Sequence, residues 1–451
     1  MSSHLVCLFG NIEHLFVYNG LLCVVILILH ISWSVIVFVF CRKMGGALSA
    51  PVTTLHIDRA GNEMTRAATV SMQGWRVDME DAHNMALKLN DQGAMLFGVY
   101  DGHGGAKAAK YLSEVVPNAF KQLPDLTDTA TITELMLRLD KDFINQGLDD
   151  GSTCCIVVAL PWNKVTNAPI SLKDGETIFD VPDAALKCIS VNIGDSRAMI
   201  VRSDGEWIAM TRDHKPNDEN ERARIVNAWG HVTSNRVDGN LALSRAIGDA
   251  IYKNNPNFTP EKQKVIAVPE YQAHYLFPGD LLLVCCDGIF EADVMTYEAV
   301  ASIAYNSAKD LSKQGADWDP AIVGRDLIEQ SLLKESRDNH TAMVIHFAKG
   351  TNYVGGNTPE REVIPGPYSD SDDSGFKNAY VADLTSNGYT MEDVRPLIDA
   401  LDSSADGKVK GIRHVPPANN RTAGGFDAQM MNHFIQLLSS GQIEDGEEDD
   451  F

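Results

Sequence analysis

Between residues 55 and 348, short apolar runs alternate with stretches of helical spacing. GAMLFGVY (93–100), STCCIVVAL (152–160), KCISVNI (187–193), RAMIVRS (197–203), DLLLVCC (280–286) and HTAMVIHFA (340–348) are compact and apolar, with turn residues around them; they predict strands. In SRAMIVRSDGEWIAM an Asp-Gly pair separates two such runs, the pattern of a hairpin. After Gly105, the stretch AKAAKYLSEVVPNAF places Ala109, Leu112, Val116 and Phe120 on one helical face. Many strands, hairpins between them and fewer helices predict an α+β fold with an antiparallel sheet core covered by helices.

The two ends of the chain read differently. Residues 1–43 are strongly apolar, and 15–40 carry no charged side chain, a run long enough to span a bilayer. It lacks the basic start of a secretory signal. Arg42 and Lys43 would place its C-terminal side in the cytosol. Met44 opens MGGALSAP, which fits the myristoylation pattern with Ser49 at the required position. Two expectations follow: translation from Met44 with a lipid on Gly45 within 44–54, which is the preferred one, or a membrane span in 1–43. Either puts the rest of the chain at the cytosolic face of a membrane, with reversible exchange into the cytosol if one acyl chain is the only anchor. Residues 349–451 form an acidic extension, and 351–451 hold 18 acids and 7 bases. Its turn-rich start and its end, IEDGEEDDF, predict mobile, solvated chain. Within it, 402–413 resembles an EF-hand loop through Asp402, Ser404, Asp406 and Gly407. Position twelve is Arg413, where a bidentate glutamate is needed, so calcium binding is not expected.

Charge and cysteines narrow the function. A net charge of -23 argues against nucleic acid as the main partner, because phosphate backbones require a surplus of Lys and Arg. The eight cysteines show no zinc or disulfide spacing, and two adjacent pairs sit inside apolar runs; buried thiols are expected.

The aspartates stand at strand ends. Asp101 closes LFGVY, Asp195 follows SVNIG, Asp287 closes LLLVCC, Asp338 precedes HTAMVIHF, and Glu80 and Asp81 lie in GWRVDMEDAH. One aspartate in such a place is an ordinary turn residue. Several converging at one sheet edge would repel each other unless cations neutralise them, and Mg²⁺ and Mn²⁺ prefer such oxygen donors.

GWRVDMEDAH (74–83), VYDGHGG (99–105), GSTCCIVV (151–158), NIGDSRAMI (192–200), DHKP (213–216), GNLALSRAIGD (239–249), CCDGIFE (285–291) and SRDNHTAMVI (336–345) together resemble the metal-dependent type 2C serine/threonine protein phosphatases, over about 70–348. The resemblance implies two stacked antiparallel β-sheets flanked by α-helices, and a catalytic domain over 55–348. It implies hydrolysis of phosphoserine and phosphothreonine in phosphoprotein substrates by a water bridging two Mg²⁺ or Mn²⁺ ions, in a monomer. Asp101 would bridge both ions. Glu80 and the Gly102 carbonyl would hold one, Asp287 and Asp338 the other. Arg76 would bind phosphate, His103 would protonate the leaving group, and Asp81 would orient water. Asp195 resembles a ligand of a third ion, whose usual aspartate companion is Glu291 here. Gly102 would keep a carbonyl open to metal, while Gly104 and Gly105 would permit the turn into the following helix. Trp229, where small residues are usual, is either a substrate contact or flap packing. The alternative is a membrane-associated pseudophosphatase that only binds partners; the complete ligand set argues against it.

Overall fold

The computed structural model describes residues 47–161, 185–291, 293–313, 315, 318–348, 360–366, 368 and 373–402, together with two short strands, Leu15–Tyr18 and Leu21–Val24, that pair antiparallel. The rest of the apolar run, Gly45, and the EF-hand-like positions after Asp402 lie outside the described residues. Among the described residues no helix is long and apolar enough to cross a membrane.

The expected α+β sandwich is present. A seven-stranded sheet runs in the order Trp207–Ala209, Arg197–Val201, Leu281–Cys285, His340–Phe347, Thr65–Met72, Leu55–Gly61, Glu360–Ile364. A five-stranded sheet runs Glu270–Leu276, Leu186–Ile193, Cys154–Pro161, Met95–Tyr100, Ala82–Ala86. Every neighbouring pair is antiparallel. The α-helices among the described residues are α1 (Lys107–Lys121), α2 (Thr129–Ile144), α3 (Glu219–Asn227), α4 (Tyr297–Ser312), α5 (Pro320–Leu333), α6 (Ser374–Ser386) and α7 (Met391–Asp402).

Side-chain alternation builds the layers. Phe97, Val99, Cys155 and Val157 join Val70, Leu283 and Val344 in the core between the sheets. The alternate residues Leu96, Tyr100, Ile156 and Val158 face outward and meet Leu112, Val116 and Phe120 of α1 and Ile132 and Met136 of α2. Helices α4 and α5 cover the other sheet through Val300, Ala304, Val323, Leu327 and Ile328. Strands such as Leu281–Cys285 are therefore buried on both faces, which is why they read as unbroken apolar runs. Cys154, Cys155, Cys188, Cys285 and Cys286 are free and buried.

Helix α1 contains Pro117, whose missing N–H leaves the Ser113 carbonyl without its helical partner. Asn84 Nδ2, from the strand beneath, donates to that carbonyl at 3.2 Å. The polar atom lost to the helix is thus recovered by the sheet.

Part of the acidic extension is built into this body. Glu360–Ile364 extends the sheet beside Leu55–Gly61. Helix α6 lays Phe376, Ala379, Tyr380 and Leu384 against Leu48, Val52 and Val363. His56 Nε2 lies 2.8 Å from the buried Asp383 carboxylate, and Ser49 bonds Asp373. We predict that Phe376→Ala lowers unfolding free energy by about 3 kcal/mol, the scale for emptying a buried aromatic site. Urea unfolding of the full chain measures it, and an unchanged midpoint would mean that α6 does not hold its place in solution.

Candidate active site

Strand register brings the acids together. Ala82 stands opposite Tyr100, so Asp81 and Asp101 are neighbours just beyond paired strand ends. Cys285 stands opposite Ala342 and Arg197, which brings Asp287 beside the loop bearing Asp338 and near Asp195. All these residues thus gather at one edge of the sandwich.

Neighbouring polar groups hold Asp101, Asp81, Glu80 and Asp338. The Asp101 N–H donates to Thr153 Oγ1 at 3.0 Å, and the Thr153 N–H returns a bond to the Asp101 carbonyl at 2.9 Å. Thr341 Oγ1 donates to Asp81 Oδ2 at 2.7 Å. The Glu80 N–H donates to Asn339 Oδ1 at 2.9 Å, and Asn339 Nδ2 donates to the carbonyls of Gln73 and Asp78. Arg76 Nη2 donates to Asp338 Oδ2 at 2.6 Å, with about half of the Arg76 side chain exposed. His103 Nε2 lies 2.7 Å from Asp249 Oδ2.

Electrostatics show what this crowding costs. Burial pushes the carboxyls of Asp101, Asp287 and Asp81 well up, and the charges of their neighbours push them further. Glu80 and Asp338 are raised as well, again by burial first. Burial would lower the His103 pKa, but the Asp249 carboxylate outweighs it and the net shift is upward. Among the described residues one trio of donor atoms, from Asp81, Asp101 and Cys286, lies within 4.8 Å of one another. Burial raises the Cys286 thiol far above its usual value, so in this environment it is a neutral S–H rather than a thiolate.

Asp195 bonds the Lys215 ammonium, while Glu291 Oε2 accepts from the N–H groups of Arg337 and Asp338 at 2.7 and 3.0 Å. The two stand in separate hydrogen-bond networks. The glycines of YDGHGG have distinct reasons. A side chain on Gly102 would meet the Glu80 carbonyl at 2.4 Å, so its smallness permits close backbone approach. Gly104 and Gly105 have φ of 70° and 142° and turn the chain into α1, whose first N–H, on Lys107, is capped at 2.9 Å by the Asp150 carboxylate.

Residues 213–265, which include the stretch 213–232 that resembles a flap, share a small core of Ile225, Val237, Ala246, Tyr252 and Val265. Glu221 anchors it, receiving Arg245 Nη2, Arg224 Nη1 and Ser244 Oγ, each at 2.7 Å. Burial would raise the Glu221 pKa, but the arginines hold it down at about 2. That anchor leads along the chain to Asp249, the partner of His103. Trp229 follows the Ala228 cap of α3 in the left-handed region, at φ 66°, and is 69% exposed, touching Phe258 edge-on with ring centroids 5.4 Å apart. Its N–H bonds the Val226 carbonyl and that of Gly230 bonds the Ile225 carbonyl, a helix stop that normally carries glycine. It therefore lies outside the flap core.

Thr153, Thr341, Asn339 and Asp249 were not singled out from sequence, although each lies in one of the quoted motifs. Membership of those motifs was the available signal, and only Asn339 stands next to a site acid, Asp338, in the chain.

The protein phosphatase 2C family model matches residues 65–340. Protein phosphatase 2C homolog 3 of Schizosaccharomyces pombe is 38% identical over 258 residues, 55% of this chain and 56% of that protein. Probable protein phosphatase 2C 6 of Paramecium tetraurelia is 33% identical over 316 residues, 67% of this chain and 100% of that one. The crystal structure of a phosphatase from a pathogenic strain of Toxoplasma gondii aligns with a TM-score of 0.59 at 28% identity, covering 69% of this chain and 100% of the other. The chain thus spans little more than half the length of the first of these relatives. It belongs to the protein phosphatase 2C family.

We predict that Trp229→Gly stabilises the protein by about 1 kcal/mol, because a left-handed non-glycine residue costs roughly that much and the exposed ring returns little burial. Chemical denaturation checks it, and a lower midpoint would show that the Phe258 contact outweighs the backbone strain.

Proposed function

We propose that the chain is a Mg²⁺- or Mn²⁺-dependent protein phosphatase acting on phosphoserine and phosphothreonine. The observation that carries this reading is the gathering of buried, mutually repelling carboxylates at one sheet edge, beside Arg76 and the His103–Asp249 pair. The donor set fits hard divalent cations. It is almost entirely oxygen, and the buried Asp81 Oδ1 has no hydrogen-bond partner. The residues that would hold two ions are Asp101, Glu80, the Gly102 carbonyl, Asp287 and Asp338. Bound there, the ions would neutralise the acids and supply a hydroxide-like nucleophile at neutral pH.

The chain's own groups would do the rest. The partly exposed Arg76 guanidinium binds phosphoryl oxygens with two parallel donors. With Nε2 engaged by Asp249, His103 keeps Nδ1 for the leaving serine or threonine oxygen and delivers a proton there. Thr341 and Asn339 fix Asp81 and Glu80, so the acids need not reorganise when substrate arrives. The substrates are phosphoproteins, and the catalytic region works as a monomer. Lipid on Gly45 would hold it at a membrane; an unmodified Gly45 in N-terminal mass spectrometry would remove that part of the reading.

Asp101→Asn should reduce Mn²⁺-dependent phosphate release to background. In chelator it should raise the melting temperature, because asparagine has neither to bury a charge nor to take up a proton at that position. Near-normal turnover in the folded variant would sink the metal assignment. His103→Gln should lower kcat on a phosphoserine peptide by about a hundredfold, and less on an aryl phosphate whose leaving group needs no proton. Equal losses on the two substrates would take His103 out of that role.

A further inference from the structure

We infer that Glu291 is a positioning residue that fixes Asp338, rather than a cation ligand acting with Asp195; this rests on the reading of Asp338 as a metal ligand. The two carboxylates have different partners. Asp195 is paired with the Lys215 ammonium. Glu291 Oε2 accepts from two successive backbone N–H groups, Arg337 at 2.7 Å and Asp338 at 3.0 Å, and Ser336 Oγ lies 2.8 Å from the same oxygen. Successive N–H groups converging on one anionic oxygen hold the peptide planes of that turn in fixed orientation.

The surrounding contacts explain why such a clamp is needed. The turn follows Glu335, which sits at φ 68° without being glycine. It abuts the 287–291 segment so closely that a side chain on Gly288 would meet the Asn339 carbonyl at 2.0 Å. The Gly288 carbonyl receives Ser331 Oγ at 2.7 Å and has Ser336 Oγ at 2.9 Å, and the single Ser336 proton goes either there or to Glu291. Asp287 therefore begins, and Glu291 ends, a short segment stitched to the turn that presents Asp338. Through these bonds Glu291 sets where Asp338 stands relative to Asp287 and, on its other side, to Arg76.

Length is what distinguishes the two roles. Glutamine keeps the reach of glutamate, and its amide oxygen accepts the same N–H groups. Aspartate keeps the charge and is one carbon shorter. A positioning role tolerates Glu291→Gln and not Glu291→Asp, whereas a cation ligand tolerates Glu291→Asp and not Glu291→Gln.

The experiment is Mn²⁺ titration of the full chain by calorimetry, alongside the Mn²⁺ concentration for half-maximal phosphate release. Melting temperatures in chelator confirm that both variants fold. Glu291→Asp should weaken Mn²⁺ binding about tenfold, the lower end for losing a partner that orients a metal ligand, while Glu291→Gln stays within about twofold of wild type. The reverse order overturns the positioning role, as does loss in both variants or in neither. If Glu291→Asp fails to fold, the Glu291→Gln arm still decides, since a cation ligand would lose affinity there. Wild-type protein that binds no Mn²⁺ would instead overturn the metal reading, and this role with it.

Discussion

Everything at the functional edge follows from one electrostatic problem: carboxylates are placed where burial and mutual repulsion both oppose their charge. Asp101, Asp287 and Asp81 share that burden, and their raised proton affinities measure it. Local bonding cannot remove it: the Thr341 hydroxyl donates to Asp81 and the Asn339 amide oxygen accepts the Glu80 N–H, and these bonds orient the acids without neutralising them. The sandwich bears the cost through its size. Two sheets and two helical layers bury enough apolar surface to hold a site that would not assemble by itself.

How much of this could be read from sequence depended on how each residue's environment writes itself into the chain. Central strands buried on both faces, such as 281–285 and 340–347, are unbroken apolar runs and were legible. Thr65–Met72 is equally buried, yet its sequence TRAATVSM gives no such run, because Arg66 is accommodated by a bond to the Trp318 carbonyl. Leu55–Gly61 hid similarly: its Arg59 is buried against Asp319 and Glu362. Glu360–Ile364 lay in a turn-rich stretch expected to be mobile, and only its pairing with a distant strand makes it a strand.

The candidate site was legible to the extent that its residues lie next to strand ends in the quoted motifs. The Asp81, Asp101 and Asp287 positions follow directly from register. What the sequence could not convey is pairing across long separations. His103 with Asp249 spans 146 positions, and Arg76 with Asp338 spans 262. Gly102 was expected to be small for the sake of a ligand, and the immediate obstacle is the Glu80 backbone. A glycine beside a site can thus be required by the fold and by chemistry at once.

The strand Glu360–Ile364 has a bearing on how the protein behaves outside catalysis. It covers Leu55–Gly61, which without it would be the rim of the large sheet, with a row of unsatisfied amides and carbonyls facing solvent. The family match ends at residue 340, so the catalytic signature and the segment that seals the rim are separate stretches of sequence. A chain cut at residue 348 would keep the acids and Leu55–Gly61, lose Glu360–Ile364 and bare the rim. It would be prone to self-association through strand addition, a solubility problem arising far from the acids themselves.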